Sequence, residues 1–423
     1  MIVSTRWISW LAVLVVLGIV HGAVAESNIK TQKPTFYGDI LPILQENCVA
    51  CHRDKGANFG GMVAPMSLTT YKEVRPWAKA IAKQVGARLM PPWKASPVHH
   101  GVFSNERVLS EAQIETILKW VNSNAPRGRQ ADAPPPLVFE ETNGWQIGEP
   151  DLVFKMPERY FVEDDVEDLY VDFEATFTEE QLPEDRWIKA VEFRAGSTAV
   201  HHIILWPIGG IAPGYDPLVY ADGFSVALKK DTKAKWQMHY HKEPGPGTGV
   251  WDQSEVGVIF WPKGTVIEHK GIVESLGRTD FNIPAGDPNY SHSRRFTFKR
   301  DSLVMSYNPH MHLRGKSAQY MAYYPDGTEE LLLDVPKYDF NWQITYRYKE
   351  PKRIPEGTVI ELTTAWDNSA DNPSNPDPTI DVRYGEPTTA EMMFGWMRYA
   401  DAEPKPFVVG EEPPREKTAS AKQ

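Results

Sequence analysis

Cysteine is nearly absent: the 423 residues hold two, Cys48 and Cys51. No disulfide framework can therefore span the chain, and most of the fold must rest on core packing or on metals. A basic excess is missing too. The formal net charge is -11, which argues against nucleic acid as a partner, because phosphate backbones call for a cationic face. Long apolar runs are lacking beyond the N-terminus. There, Arg6 precedes the short run Trp7–Val20, and Ala23-Val24-Ala25 offers a small-x-small cleavage pattern before Glu26. This is the layout of an export signal over 1–25, with no later segment apolar enough to span a membrane. The expected compartment is periplasmic or secreted, with no membrane span after signal cleavage.

From Phe36 to Pro126 the apolar spacing is helical. Ile40, Ile43 and Leu44 share a face just ahead of the cysteines, Ala78–Val85 suggests a second helix, and a third starts at Ser110. Ser110 and Gln113 form a capping-box pattern, and Ile114, Ile117, Leu118 and Val121 make the core face. The texture then turns stiff and extended around Pro134-Pro135-Pro136. From Asp151 to Tyr399 short runs rich in β-branched and aromatic residues alternate with Pro and Gly, which predicts sandwiches or barrels. Pro325-Asp326-Gly327 marks a hairpin turn. The expected layout is a signal at 1–25, an all-α domain at 26–126, a Pro-rich linker at 127–148, β domains at 149–290 and 291–402, and a disordered polar tail at 403–423.

Both cysteines lie in Cys48-Val49-Ala50-Cys51-His52. Two thiols at this spacing can add to the vinyl groups of haem, and the adjacent histidine then faces the iron. One covalent haem c is expected, held by Cys48, Cys51 and His52. The competing uses are a redox dithiol or half a zinc site, but zinc asks for four ligands and no second cysteine pair exists. For the opposite face of the iron, Met90 precedes Pro91-Pro92, a stiff loop able to hold a thioether in place. Met62 and Met66 are its rivals. In helix order and in its Met-Pro loop this region resembles a small class I cytochrome c.

Twelve histidines are present, and five in the β region form a pattern. His310 and His312 alternate onto one face of a strand, the natural geometry for two ligands of one metal. His201 and His202 are adjacent, so both can ligate only at a bulge or strand end. His239 has His241 as its competitor. Imidazoles alone suit several transition metals, and a thioether beside them favours copper. His99-His100 reads as a polar loop near the haem, Asp367 to Asp377 as a turn-rich structural loop without calcium-ligand spacing, and Met305 and Met311 as packing residues.

Four stretches carry a resemblance: Ala199-Val200-His201-His202-Ile203-Ile204, Trp236-Gln237-Met238-His239-Tyr240, Pro309-His310-Met311-His312-Leu313-Arg314-Gly315-Lys316, and Ala390-Glu391-Met392-Met393. In this order they resemble the copper type II, ascorbate-dependent monooxygenases, the family of peptidylglycine and dopamine hydroxylases. The resemblance implies two all-β jelly-roll-like sandwich domains after the all-α class I cytochrome c domain, each holding one copper ion. It assigns His201, His202 and His239 to an electron-storing copper. It assigns His310, His312 and Met392, with Met393 as the alternative in register, to the copper that meets O2. The arginine with which peptide-hydroxylating members grip a substrate carboxylate is replaced by Asn308, and Phe394 and Trp396 stand where those members use asparagine and tyrosine. The peptide clamp is thus missing; the two aromatic residues point either to a more apolar or aromatic small-molecule substrate or simply to core packing. Together with the fused cytochrome-like part, the resemblance implies a monooxygenase whose haem feeds the coppers from a redox donor protein or an ascorbate-like reductant. The other class of function left open is a non-catalytic haem and copper electron carrier.

Overall fold

The computed structural model describes residues 33–139 and 144–411; the expected signal, 1–25, lies outside them. Among the described residues no helix is long and apolar enough to cross a membrane. The chain is mostly β, 37% strand against 12% helical, with α-helices at Leu41–Asn47 (α1), Tyr71–Gly86 (α2) and Glu111–Asn122 (α3).

This corrects the expected fold class, an all-α class I cytochrome c domain followed by two all-β jelly-roll-like sandwiches. The helices are too few and too short to form an all-α domain, and the chain from Pro34 onward is one compact unit. The physical reason lies in 93–107. Ala95 and Phe103 are buried in a core otherwise built by strands of the C-terminal half, with Trp93 and Val102 packed against it. The backbone N–H groups of Ser96 and Ser104 donate to the carbonyls of Asp334 and Arg347 at 2.8 and 2.7 Å. A stretch that the sequence places with the helices by contiguity therefore forms an edge of the β structure.

Where helices do form, local signals set them. Ser110 and Gln113 make the expected reciprocal cap at α3. Helix α2 starts at Tyr71, well before Ala78, because Thr70 and Glu73 form a second capping box. Pro76 inside the helix hides that start from a periodicity reading. The three helices share a small core of Phe36, Ile40, Leu44, Val74, Ile117 and Trp120.

Four principal sheets carry the rest. The first joins Leu152–Lys155, Glu255–Phe260, Arg186–Arg194, Phe224–Leu228 and His269–Lys270, with Leu218–Val219 beside the third of these. The second joins Asp168–Thr176, Lys233–His241, Val200–Trp206 and Gly209–Ile211. Both feed one hydrophobic core, in which Trp236 is wholly buried. The third sheet orders Ile272–Ser275, Phe394–Asp401, Ser302–His310 and Tyr346–Ile354, and the fourth Tyr290–Thr297, Val359–Trp366, Gly315–Tyr323 and Glu329–Val335. These share a second core around Trp366. It takes in Leu276, Phe281 and Ile283, ahead of the expected boundary at 290. The hairpin at Pro325-Asp326-Gly327 forms as expected, with Gly327 at φ +86.

The tail is also corrected in part. Phe407–Val408 is a strand paired with Val266–Ile267, and the Phe407 ring packs on Trp187 at 4.2 Å between centroids. One buried aromatic outweighs the polar composition around it. Residues beyond 411 lie outside the description.

Candidate functional site

The strand Val200–Trp206 is where the two adjacent histidines converge. Its ladder with Lys233–His241 pairs Val200 with Tyr240 and His202 with His239, so His201 is the extra residue of a bulge. The bulge breaks the alternation that would send the two rings to opposite faces. His201, His202 and His239 then bring one ligand nitrogen each within 4.8 Å of one another. His239 is buried, whereas His241 is exposed and outside the group.

Three of the six ring nitrogens of this cluster lack partners. Both ring nitrogens of His201 and Nε2 of His202 are buried without a hydrogen bond. His239 Nε2 donates to the Asp168 carboxylate, so its Nδ1 carries a lone pair, and that lone pair faces His202 Nδ1 at 3.3 Å. Buried unsatisfied polar atoms cost about 1–3 kcal/mol each. A cation among the three rings would take one nitrogen from each, and a carboxylate behind such a ring is the usual outer support of a metal site. Burial holds His201 down to about 2 and His202 well below the ordinary histidine range, with neighbouring histidines adding to both shifts. These two rings are neutral, the form a metal needs.

His310 ends the strand Ser302–His310, and His312 lies just beyond it. Met311 between them turns into the second core, where Tyr338 bonds both its N–H and its carbonyl. The two rings stand nearly perpendicular, with centroids 5.3 Å apart. His310 Nδ1 donates to Gln343 Oε1 at 2.6 Å and His312 Nδ1 to the Ala390 carbonyl at 3.3 Å, which leaves each Nε2 free to bind. Burial holds His310 at about 4 and His312 at about 3. Behind them Glu391, wholly buried, accepts the backbone N–H of His312 and Arg314 and the Trp366 indole. Burial raises its carboxyl to about 7.

Phe394 stands opposite His310. Alternation along that strand puts Phe394 and Trp396 on the histidine side. Of the two methionines just before the strand, Met393 is wholly buried in the second core and Met392 is half-buried. Phe394 and Trp396 stack with centroids 5.7 Å apart, and Trp396 lies 5.5 Å from His310. Asn308 does not reach out to a substrate: it bonds Tyr215 and the carbonyls of Gln343 and Ile344.

The two clusters are distinct. Phe340 touches both, with its ring 4.8 Å from the His201 ring and 5.7 Å from the His312 ring. Sequence reasoning missed Phe340, Asp168 and Gln343, and no local pattern marks them.

At the cysteine motif, His52 Nδ1 donates to the Met66 carbonyl at 3.2 Å, and the His52 carbonyl accepts from Leu68. The ring is fixed with Nε2 available, and Met66 sits behind it, on the side away from anything Nε2 binds. This disfavours Met66 as the opposite ligand and leaves Met90, half-buried after α2, and Met62. Burial pushes the Cys48 thiol up to about 12 and raises Cys51 as well. A redox dithiol needs the opposite shift. The Arg107 guanidinium lies over the Phe59 ring and 3.4 Å from Asp216, and its nitrogens have no hydrogen-bond acceptor. Donors to spare here suit an anionic group such as a haem carboxylate. The Cys48, Cys51 and His52 set thus fits a covalent haem.

The other motifs prove structural. His99 accepts the Asp334 N–H and His100 pairs with Glu106. Asn368, in the Asp/Asn-rich loop, bonds Arg314 and the carbonyls of Pro284 and Ile380.

The neutral rings predict a pH dependence for the metal-free protein. Histidines whose folded pKa lies below 6.5 leave the folded state fully stable above that pH. As pH falls, the unfolded chain takes up protons that His310 and His312 refuse until about 4 and 3. Stability should therefore drop between pH 6.5 and 4, by roughly 1–2 kcal/mol per ring at pH 5. Urea unfolding of the metal-free chain at pH 7 and pH 5 checks this, and equal midpoints would contradict it.

No family model and no curated protein matches this chain. Solved structures give distant likenesses at 8% identity. The major capsid protein P2 of bacteriophage PM2 has a TM-score of 0.23 over 58% of this chain and 97% of its own. A Paenibacillus xanthan lyase has 0.17 over 60% and 25%, and infectious bursal disease virus VP2 has 0.19 over 60% and 72%. Likenesses this distant bear on neither fold nor function.

Proposed function

We propose that the protein is an exported haem- and copper-dependent monooxygenase that hydroxylates an apolar or aromatic small molecule. The observation that carries this is the pair of histidine clusters, three rings and two, both in contact with the Phe340 ring. The arrangement agrees with the resemblance to copper type II monooxygenases. Such a reaction converts C–H, O2, two electrons and two protons to C–OH and water. Copper at the two sites would supply one electron each and a Lewis-acidic position for O2. His201, His202 and His239 would hold one ion; His310, His312 and Met392 would hold the other.

The chain's own residues fit the remaining tasks. Phe394 and Trp396 form an aromatic shelf beside His310, and the inward bonding of Asn308 leaves no carboxylate clamp there. The loop after the haem motif seats on the first copper strand. Phe59 accepts the Gly214 N–H at 2.9 Å, and Gly61 lies against the carbonyl of Val200, the residue bonded to His201. Gly60 allows that approach, since a Cβ there would fall 2.0 Å from the Ala212 carbonyl. Cys48, Cys51 and His52 would hold a haem, which would supply electrons one at a time, refilled by a donor protein or an ascorbate-like reductant.

Protein matured in a host that attaches c-type haem tests the proposal. Two coppers per chain are expected, with O2 uptake that rises when apolar or aromatic candidates are added and matches product one to one. Full metal loading without coupled uptake for any candidate would favour the carrier. Glycine-extended peptides as the best substrates would overturn the substrate class.

A further inference from the structure

Two side chains tie the three-histidine cluster to the segment that builds the other one. Asp168 and Tyr170 lie on the strand Asp168–Thr176, where Tyr170 stands opposite His239. The Tyr170 ring stacks on His239 with centroids 4.1 Å apart, and its hydroxyl donates to the Glu386 carbonyl. Asp168 has a partner on each oxygen. Oδ1 accepts from His239 Nε2, and Oδ2 accepts from the N–H and hydroxyl of Thr388 at 3.1 and 3.2 Å. Thr388 is buried and opens a run fastened to the second cluster. The Thr389 carbonyl accepts from Arg314, the Ala390 carbonyl from the His312 ring, and the Glu391 carboxylate from the His312 and Arg314 backbone. Met392 follows.

We propose that the Asp168–Thr388 bridge couples the two metal sites, so that filling the three-histidine site orders 386–392 and tightens binding at His310, His312 and Met392. This rests on the two-metal function proposed above. A metal on His239 fixes the ring, the ring fixes Asp168, and Asp168 fixes Thr388, three residues from the His312 support at Glu391. Asp168 and Thr388 are positioning residues and touch no metal. By linkage the second site tightens the first by the same factor.

Cuprous ion titrated against a chromophoric chelator measures each affinity. The His201→Ala/His202→Ala variant blocks the first site and leaves the Asp168 bridge intact. The second site should bind about tenfold more weakly in this variant than in the wild type, within the range that outer-shell partners command. Asp168→Asn with Thr388→Val breaks the bridge, and in that background blocking the first site should no longer matter. A purely structural role for Asp168 would weaken binding equally whether the first site is blocked or not, so the ratio is the readout. Thr388→Val alone keeps shape and bulk, and should cut the ratio in part if the double change impairs folding. Equal second-site affinities in wild type and blocked variant would overturn the coupling, as would a tenfold ratio that survives loss of the bridge. A wild type that binds fewer than two equivalents would instead overturn the proposed function beneath it.

Discussion

Replacing Met392 with isoleucine should lower substrate-dependent O2 uptake by at least about a hundredfold, the upper end of what loss of a mere outer-shell partner costs a metal site. The change keeps apolar bulk and removes the sulfur. A soft thioether beside two imidazoles favours reduced copper, and Met392 is the half-buried methionine two residues before the Phe394 that stands opposite His310. The three-histidine copper and the haem should stay at wild-type levels, as metal analysis and the haem spectrum would show. Met393→Ile is the contrasting change. It alters a wholly buried core position and should lower stability by about 1 kcal/mol while leaving coupled uptake largely intact. Uptake that survives Met392→Ile but vanishes with Met393→Ile would reverse the assignment.

Cys51→Ala should largely abolish haem that resists acid-acetone extraction, and Cys48→Ala with Cys51→Ala should abolish it wholly. The structure offers these thiols no other use. They are free, they are held protonated by burial, and no other cysteine exists to join them in a disulfide or a zinc site. The comparison is between wild type and variants matured in the same host, by haem stain after denaturing electrophoresis. Extractable haem in the wild type would remove the covalent assignment. An acid-stable haem in the double variant would place the attachment elsewhere.

Much of the candidate site is legible in the sequence because its parts are local. His310 and His312 declare themselves by alternation, and Ser110 with Gln113 by capping. The adjacent pair His201-His202 demands a bulge, and a bulge is there. What escapes the sequence is set by topology. Asp168 meets Thr388 across 220 residues, and Asn105 meets Thr345 across 240; no periodicity reports such pairs. The same blindness explains the fold correction. Trp93–Arg107 looks like part of a helical domain because it lies between two of its helices, yet its apolar residues are buried against strands of the C-terminal half. Phe407 repeats the lesson at the other end, a single aromatic that anchors a polar stretch.

The ring of Phe340 has a magnetic consequence. An aromatic ring offers no lone pair through which neighbouring ions could share a bridging atom. Divalent copper ions held in the two clusters it touches would keep independent unpaired spins and would not pair into a silent, antiferromagnetic couple. Each site would then hold a single electron as a private store, and the protein would have to deliver its two reducing equivalents in separate steps.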